Sequence, residues 1–403
     1  MAIIADDLTG ACDTALQFFR GGHETWVAPV PGGEVPPGLT AIAVNTDSRD
    51  LDEERARRRV AESVEWLRLQ GFSNFYKKVD STLRGNLRAE IEETLAAAES
   101  ELAVVAPAFP QADRTTVSGI QLVGGVPVSL TPYGEEVGSP AQESHLPTLL
   151  KGELVDYRVV AKGPAFIAAA IAACKKKILV ADASRPKDLS AIAEAIRLSP
   201  RKILPVGSAG LALALQTRWL IQSARPISLA KGKPVVILNG STNPVSLGQL
   251  DRLNCRVLQV DVHRVLLADF DPEEFARRAL QQILAGLDVA ITTVRNPLQV
   301  TMALKLGHEL GMDALGVGAM LSGALGAIAR RLQGMELGGM VLMGGQTAFA
   351  ACEQIGWLRI VDEVLPAIPL GVSSSGLRLV TKSGGFGSLD ALERILRYLK
   401  ERP

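Results

Sequence analysis

The chain lacks the residue groupings from which zinc clusters and disulfide frameworks are built. Its 403 residues include 4 cysteines and 4 histidines. Cys12, Cys174, Cys255 and Cys352 lie far apart with no C-x-x-C pair, and His23, His145, His263 and His308 are as dispersed. That spacing provides no zinc site and no disulfide framework, and it fits a reducing cytoplasm. A basic surplus is also missing, since Lys+Arg and Asp+Glu each number 43. A protein that tracks nucleic-acid phosphates carries such a surplus, so no nucleic-acid partner is expected. The short basic runs at 55–59 and 175–177 fall in helical or pre-strand patterns and read as solvated helix faces or ends. The most membrane-like stretch, 311–329, is broken by Asp313, Ser322 and several glycines. It reads as a buried helix with its preceding loop, and no membrane span is expected. The opening MAIIADDLTGACD meets acid at once and has no basic start or long apolar region, so a cytoplasmic location is expected. No G-x-x-x-x-G-K-[ST] string occurs, and no G-x-G-x-x-G fingerprint follows a strand, which disfavours P-loop and dinucleotide-binding classes. Ser208 stands in VGSAGLA, outside a G-x-S-x-G context, so a serine hydrolase is a poor reading.

Aromatics are scarce at 4%, while 47% of the residues are hydrophobic and 21% are charged. Plentiful Ala, Leu, Val and Gly suit α/β architecture, in which small residues let helices lie close to a sheet. The length points to two domains of roughly 200 residues each. One local grammar recurs: a short apolar run, a Gly- or Asp-rich turn, then a helical pattern. It appears in AIIA-DDLTG-ACDTALQFF, KILPV-GSAG-LALALQ, VVILNGS-TNP-VSLGQL and MVLMGGQT-AFAACEQI. Apolar runs alternating with helices predict mainly parallel sheets flanked by helices, with ligands at the carboxyl ends of the strands. The Pro- and charge-rich stretch 221–234 is the best linker, giving domains 1–224 and 225–403 with a ligand cleft expected between them. The polar, Pro-rich region 122–152 lacks periodicity and reads as an excursion of the first domain, a flap or an oligomer contact compatible with a homodimer. Apolar residues at 389, 392, 395, 396 and 399 predict a terminal helix with one buried face.

The chemistry-bearing residues cluster in the turns. Asp6 and Asp7 end the first strand; such carboxylates bind a metal, hold substrate hydroxyls or act as a base, unless one merely caps the following helix. The string YKKVDSTLRGN supplies Lys77, Lys78 and Arg84 as cations and Asp80 as a base or hydroxyl partner. It also supplies Ser81, Thr82 and Asn86 as polar groups and Gly85 for a tight turn. The planar fork of Arg84 suits a carboxylate, and Arg49, after the strand-like AIAV, offers another. Each of these also reads as an ordinary polar loop, with Asn86 as a helix cap. The segment 107–121, with Arg114, reads equally as a binding loop or an ordered turn. In the second half Gly240-Ser241-Thr242, Gly344-Gly345-Gln346-Thr347 and Lys382-Ser383-Gly384-Gly385 form glycine-rich turns. Such turns present backbone N–H groups and helix N-termini to anions, although they also serve strand-to-helix packing.

Taken together, IADDLTGACD, TDSR, KKVDSTLRGN, PAFPQADRTTVSGIQLV, VGSAGLA, NGSTNP, GGQTA and TKSGGFG resemble, in order and over nearly the whole chain, the four-carbon acid sugar kinase family. The resemblance implies an N-terminal domain for the sugar acid and a C-terminal domain for ATP. It implies phosphorylation, with Mg2+, of the terminal hydroxyl of threonate, erythronate or 3-oxo-tetronate. Carried over, nucleotide contacts fall on Ser241, Gly344, Gly345, Gln346, Thr347 and Gly384, with Lys382 and Gly385 beside them. Sugar-acid contacts fall on Asp7, Lys78, Asp80 and Arg84, with Asp6, Arg49, Lys77, Ser81 and Asn86 as neighbours. Asp7 or Asp80 is the expected base, Asp7 being preferred because a strand-end acid is rigidly placed. Gln346 departs from the GGET or GGDT expected there, which removes a carboxylate from the cradle. The competing readings are a non-catalytic sensor of a sugar acid or nucleotide, and a sugar-acid dehydrogenase or epimerase.

Overall fold

The computed structural model describes residues 1–136, 138–216 and 232–401. The chain divides into two compact units, Met1–Ile221 and Gln222–Pro403. The expected boundary after residue 224 lies outside the described residues.

In the first unit β1 (Ala2–Ala5), β2 (Thr25–Ala28), β3 (Ala41–Asn45), β4 (Phe75–Lys78) and β5 (Leu102–Ala106) alternate with helices. These are α1 (Leu8–Arg20), α2 (Glu53–Leu69) and α3 (Leu87–Ala97). A small antiparallel sheet follows, β6 (Arg114–Val117), β7 (Ile120–Val123) and β8 (Val126–Pro127), of which only the end of β7 and β8 fall within the expected excursion at 122–152. Three more strands, β9 (Glu153–Val155), β10 (Ile178–Ala181) and β11 (Ile203–Gly207), complete the main sheet. Its order is β2-β3-β1-β4-β11-β5-β10-β9, and every pairing is parallel. Strands β1, β3, β5 and β10 are buried along their whole length. Continuous apolar runs such as AIIA and LAVVA are what a sheet covered on both faces requires. Helix α2 buries Ala56, Val60, Val64 and Leu67 on one stripe, and Asp52 caps its start by accepting from the Arg55 N–H.

The strand order positions the site. From β1 the chain goes to one side of the sheet for β2 and β3, then returns to the other side for β4. Ala5 is level with both Asn45 and Lys78. The loops after β1, β3 and β4 therefore leave the sheet side by side at its switch point, where open α/β sheets bind ligands.

The second unit contains β12 (Val235–Asn239), β13 (Arg256–Gln259), β14 (Val289–Thr292), β15 (Gly339–Met343), β16 (Leu358–Leu365), β17 (Ile368–Ser373) and β18 (Arg378–Lys382). Their order is β13-β14-β12-β15-β18-β17-β16, parallel as far as β18, with β17 and β16 antiparallel. Met343 is level with both Asn239 and Lys382, so the three glycine-rich loops also emerge side by side. Val235, Ile237, Val341, Val380, Ile395 and Leu399 belong to one core, to which the terminal helix Ala391–Glu401 contributes. The helix starts later than the periodicity predicts: Leu389 precedes it and is 54% exposed. The apolar stretch at 311–329 lies mainly in the helix Ala314–Leu332, capped by Asp313. Gly326 lets it approach the helix Gly345–Ile355, since a Cβ there would stand 2.5 Å from the Ala350 carbonyl oxygen. By length and composition this helix could cross a membrane, but Leu325, Ile328, Ala329 and Leu332 are buried within its own unit.

Candidate functional site

In the first unit the loop after β1 folds onto the loop after β3. Asp7 caps α1, its Oδ1 accepting from the Gly10 N–H at 3.0 Å and its Oδ2 from the Thr9 hydroxyl at 2.6 Å. Arg49 bridges the adjacent carboxylates: Nε donates to Asp6 Oδ2 at 2.7 Å, and Nη2 lies 2.8 Å from Asp7 Oδ1. The other Asp6 oxygen, Oδ1, is buried and accepts no hydrogen bond among the described residues. Gly10 makes room for a third charge, because a Cβ there would stand 2.5 Å from Asp7 Oδ1 and 2.7 Å from Lys78 Nζ. At Gly85, φ is +96°, and a Cβ would come within 3.3 Å of the Arg49 side chain. Glycine thus satisfies both the turn and the close approach.

The loop after β4 carries the remaining charges. Asp80 Oδ2 accepts from the Thr82 hydroxyl at 2.6 Å and from Arg84 Nε at 2.5 Å. Arg84 Nη1 donates to both oxygens of Glu136, at 2.8 and 2.9 Å, and its guanidinium lies 5.4 Å from the centre of the Tyr133 ring. Burial by itself would raise Asp7, but Arg49, Lys78 and the Thr9 hydroxyl outweigh it and hold the carboxyl below its ordinary range. The same contest, won by Arg84 and Arg49, leaves Asp80 well below that range. Arg84 itself is half-buried, which favours its neutral form, yet Asp80 and Glu136 hold it firmly protonated. Asp6, Asp7 and Asp80 therefore interleave with Arg49, Lys78 and Arg84 at the carboxyl ends of β1, β3 and β4. Such an array can grip a small molecule that carries both a carboxylate and hydroxyls.

Two of the residues expected to touch the sugar acid bond to other groups of the protein. Lys77 alternates with Lys78 along β4 and so faces the opposite side of the sheet. It is fully buried, with Nζ 2.5 Å from Glu90 Oε2. Glu90 Oε1 accepts from Ser48 at 2.8 Å, and Ser48 is 2.7 Å from the Thr46 hydroxyl. Burial, more than Lys77 offsets, raises the Glu90 carboxyl. Asn86 stands at the start of α3 without capping it; its Nδ2 donates to the Ser48 and Leu51 carbonyls, tying the Arg49 loop in place. The Ser81 carbonyl accepts from Gln121 Nε2 at 2.7 Å, which fixes the β4 loop from the small sheet. The segment 107–121 forms a 3-10 turn and β6 instead of a loop alone, and Arg114 Nη2 reaches the Tyr133 hydroxyl at 3.4 Å. Glu90, Glu136 and Tyr133 escape sequence reasoning. Each stands in a helix or irregular stretch whose local pattern carries no sign of the distant arginine or lysine it meets.

In the second unit the three turns converge. At Gly344 φ is +102°, and a Cβ would stand 3.3 Å from the Ser241 nitrogen; one at Gly384 would stand 2.6 Å from Ser241 Oγ. A side chain at Gly240 would strike the Thr347 hydroxyl. The Gly344 turn opens the helix Gly345–Ile355 with no side-chain cap. The first amides there, including those of Gly345, Gln346 and Thr347, have no intrahelical acceptor, which suits an anion. Asn243 caps the helix Pro244–Asp251 at 2.9 Å, and Ser246 from that helix donates to the Gly384 carbonyl at 2.7 Å. Gln249 holds the same loop further on, donating to the Phe386 and Ser388 carbonyls at 3.2 and 2.8 Å. Gly385 leaves ordinary van der Waals space beside Asn243. Lys382 is buried beneath the loop, donating to the Ser383 and Gly384 carbonyls at 3.2 and 3.4 Å, and burial lowers its ammonium to about 8. Gln346 is exposed, with Oε1 beside Gly318 of the helix Ala314–Leu332.

Comparison with known proteins divides the chain in the same way. Residues 1–215 match a sugar-binding N-terminal domain family, and residues 236–392 match a nucleotide-binding C-terminal domain family. A D-threonate kinase of Bordetella bronchiseptica is 35% identical over 100% of this chain and 98% of its own length. A D-erythronate kinase of Heliobacterium modesticaldum is 29% identical over 99% of this chain and 97% of its own. A solved Bordetella bronchiseptica structure, a domain-swapped dimer with bound citrate, is 32% identical. It covers 100% of this chain and 98% of that one, with a TM-score of 0.51.

Proposed function

Because this chain belongs to the four-carbon acid sugar kinase family, we propose that it transfers the γ-phosphoryl group of ATP to the terminal hydroxyl of a tetronate. It is an enzyme, a sugar-acid kinase. D-threonate is the first choice of substrate, since the 35% identical relative is a D-threonate kinase, with D-erythronate and 3-oxo-tetronate as its nearest rivals. The carrying observation is the interleaved array of Asp6, Asp7, Asp80, Arg49, Lys78 and Arg84 in the unit matched by a sugar-binding model. The citrate held by the Bordetella structure supports a small hydroxy-carboxylate as ligand, and its dimeric state supports a homodimer. A role in the metabolism of such an acid supports a cytoplasmic location.

Phosphoryl transfer asks for positioning and charge neutralisation more than covalent help. Arg84 and Lys78 fix the substrate carboxylate. Asp7 faces the acceptor hydroxyl: it is the more exposed of the two candidate bases, 19% against 11% for Asp80. Its helix-capping bonds fix its direction, and its lowered pKa keeps it ionised, so it holds the hydroxyl and takes the proton late, once bonding to phosphorus has made that proton acidic. The hydroxyl oxygen forms a bond to γ-phosphorus, the bond from γ-phosphorus to the β–γ bridging oxygen breaks, and the hydroxyl proton passes to Asp7. In the second unit Ser241, Gly344, Gly345, Gln346, Thr347, Gly384 and Gly385 cradle the triphosphate. Mg2+ would accompany ATP as MgATP and would supply charge neutralisation; among the described residues no cluster of three or more His, Cys, Asp or Glu stands ready to hold it.

A coupled ADP-release assay across D- and L-threonate, D- and L-erythronate and their 3-oxo forms tests the reading. Acid-dependent ADP from one of them is expected, whereas binding of an acid with no ADP from any would favour a sensor. Lys382 adds a pH signature. A bound triphosphate favours its protonated form, so ATP affinity is expected to fall as pH rises above about 8, with proton uptake on binding in that range. Calorimetry in buffers of different ionisation heat checks this, and Lys382→Met is expected to flatten the dependence.

A further inference from the structure

We propose that Glu136 sets substrate affinity and selectivity by occupying, in the free protein, the arginine fork that the sugar acid's carboxylate takes. The inference rests on the reading that the first unit binds a sugar acid. Arg84 is divided between two carboxylates. Its Nε is committed to Asp80, while Nη1 donates to both oxygens of Glu136. The two partners differ in exposure: the Glu136 side chain is 44% exposed and that of Asp80 11%. Glu136 is therefore the outer carboxylate and the one able to leave for water.

The residues around Glu136 are held independently of its own carboxylate. Tyr133 lies under the Arg84 guanidinium, and its carbonyl accepts from the Ala141 N–H at 2.9 Å. Ser139 Oγ donates to the Arg49 carbonyl at 2.7 Å, and Ser129 and Ser144 pair their hydroxyls at 2.8 Å. Displacing the Glu136 carboxylate thus costs one ion pair and leaves these anchors in place. An incoming carboxylate replaces it like for like, whereas a neutral polyol offers Arg84 nothing in exchange and leaves Glu136 seated. The fraction of molecules with the fork open scales the apparent affinity for the acid directly.

Glu136→Gln keeps the size of the side chain and removes its charge. A partly exposed ion pair sets the scale, so the KM for the sugar acid is expected to fall about two- to fivefold. The kcat and the KM for ATP are expected to stay unchanged. Glu136→Asp, which retains the charge, is expected to restore a KM close to the parent value, and the variant's gain should vanish for the corresponding neutral polyol. A raised KM for the acid in Glu136→Gln would mean that Glu136 binds substrate, and an unchanged KM that the pair is incidental; either overturns the proposal. Calorimetric titration of parent and variant with D-threonate, without ATP, separates the two levels. Binding of equal strength to both overturns the exchange alone, and no binding of any acid in the panel to the parent overturns the sugar-acid reading together with it.

Discussion

Asp7→Asn is expected to lower kcat by about 10²- to 10⁴-fold, the usual contribution of a positioned general base, with little change in the KM for ATP. The substitution is close to isosteric, and the amide oxygen can still accept from the Gly10 N–H, so the cap on α1 survives. What disappears is the negative charge facing Arg49 and Lys78 and the group that receives the hydroxyl proton. Arg49 keeps Asp6 as a partner at 2.7 Å, which limits the loss of stability. Steady-state kinetics on folded variant, with Asp80→Asn in parallel, would assign the role. If Asp7→Asn turns over at nearly the parent rate and Asp80→Asn does not, the base is Asp80.

Lys77→Met tests the other side of the same strand, and here the large effect falls on stability. Lys77 and Glu90 are buried to 0% and 2% exposure. Removing one member of a buried pair strands the other and costs about 3–5 kcal/mol. The cost has a pH signature with a definite sign. Burial already raises Glu90, and without Lys77 its pKa in the folded protein moves further above the unfolded value. A group raised on folding contributes stability at low pH and loses it as pH rises. The deficit of Lys77→Met should therefore grow between acid and neutral pH, and Lys77→Met with Glu90→Gln should recover much of it. Hydrogen exchange in α3 and β4 locates the loss in the first unit. Unaltered stability with a raised KM for the sugar acid would return Lys77 to the binding surface.

These two lysines show how far the sequence could be read. The strand-turn-helix grammar located β1, β11, β12 and β15 because each is an apolar run ended by a turn that only small or capping residues permit. The glycine turns at 240, 344 and 384 were legible for the same reason. Which of two adjacent lysines faces a ligand was not legible. On a strand buried on both faces, neither the alternation nor the charge of KK says which side holds the site. The partner that decides it, Glu90, lies on a helix further along the chain. Glu136 is harder still, since it comes from an irregular stretch with no periodicity. The small sheet β6–β8 was obscured because its strands are short and partly polar, as in RTTV, and turn through left-handed residues at Asp113 and Ser118.

The most direct test of the account is 31P NMR of a reaction containing MgATP and D-threonate, with proton coupling retained. The account predicts loss of the γ-phosphate signal, growth of ADP, and one new phosphomonoester resonance split by two protons, the mark of a phosphate on a terminal CH2 carbon. Inorganic phosphate in place of an ester, or an ester split by a single proton, would contradict it.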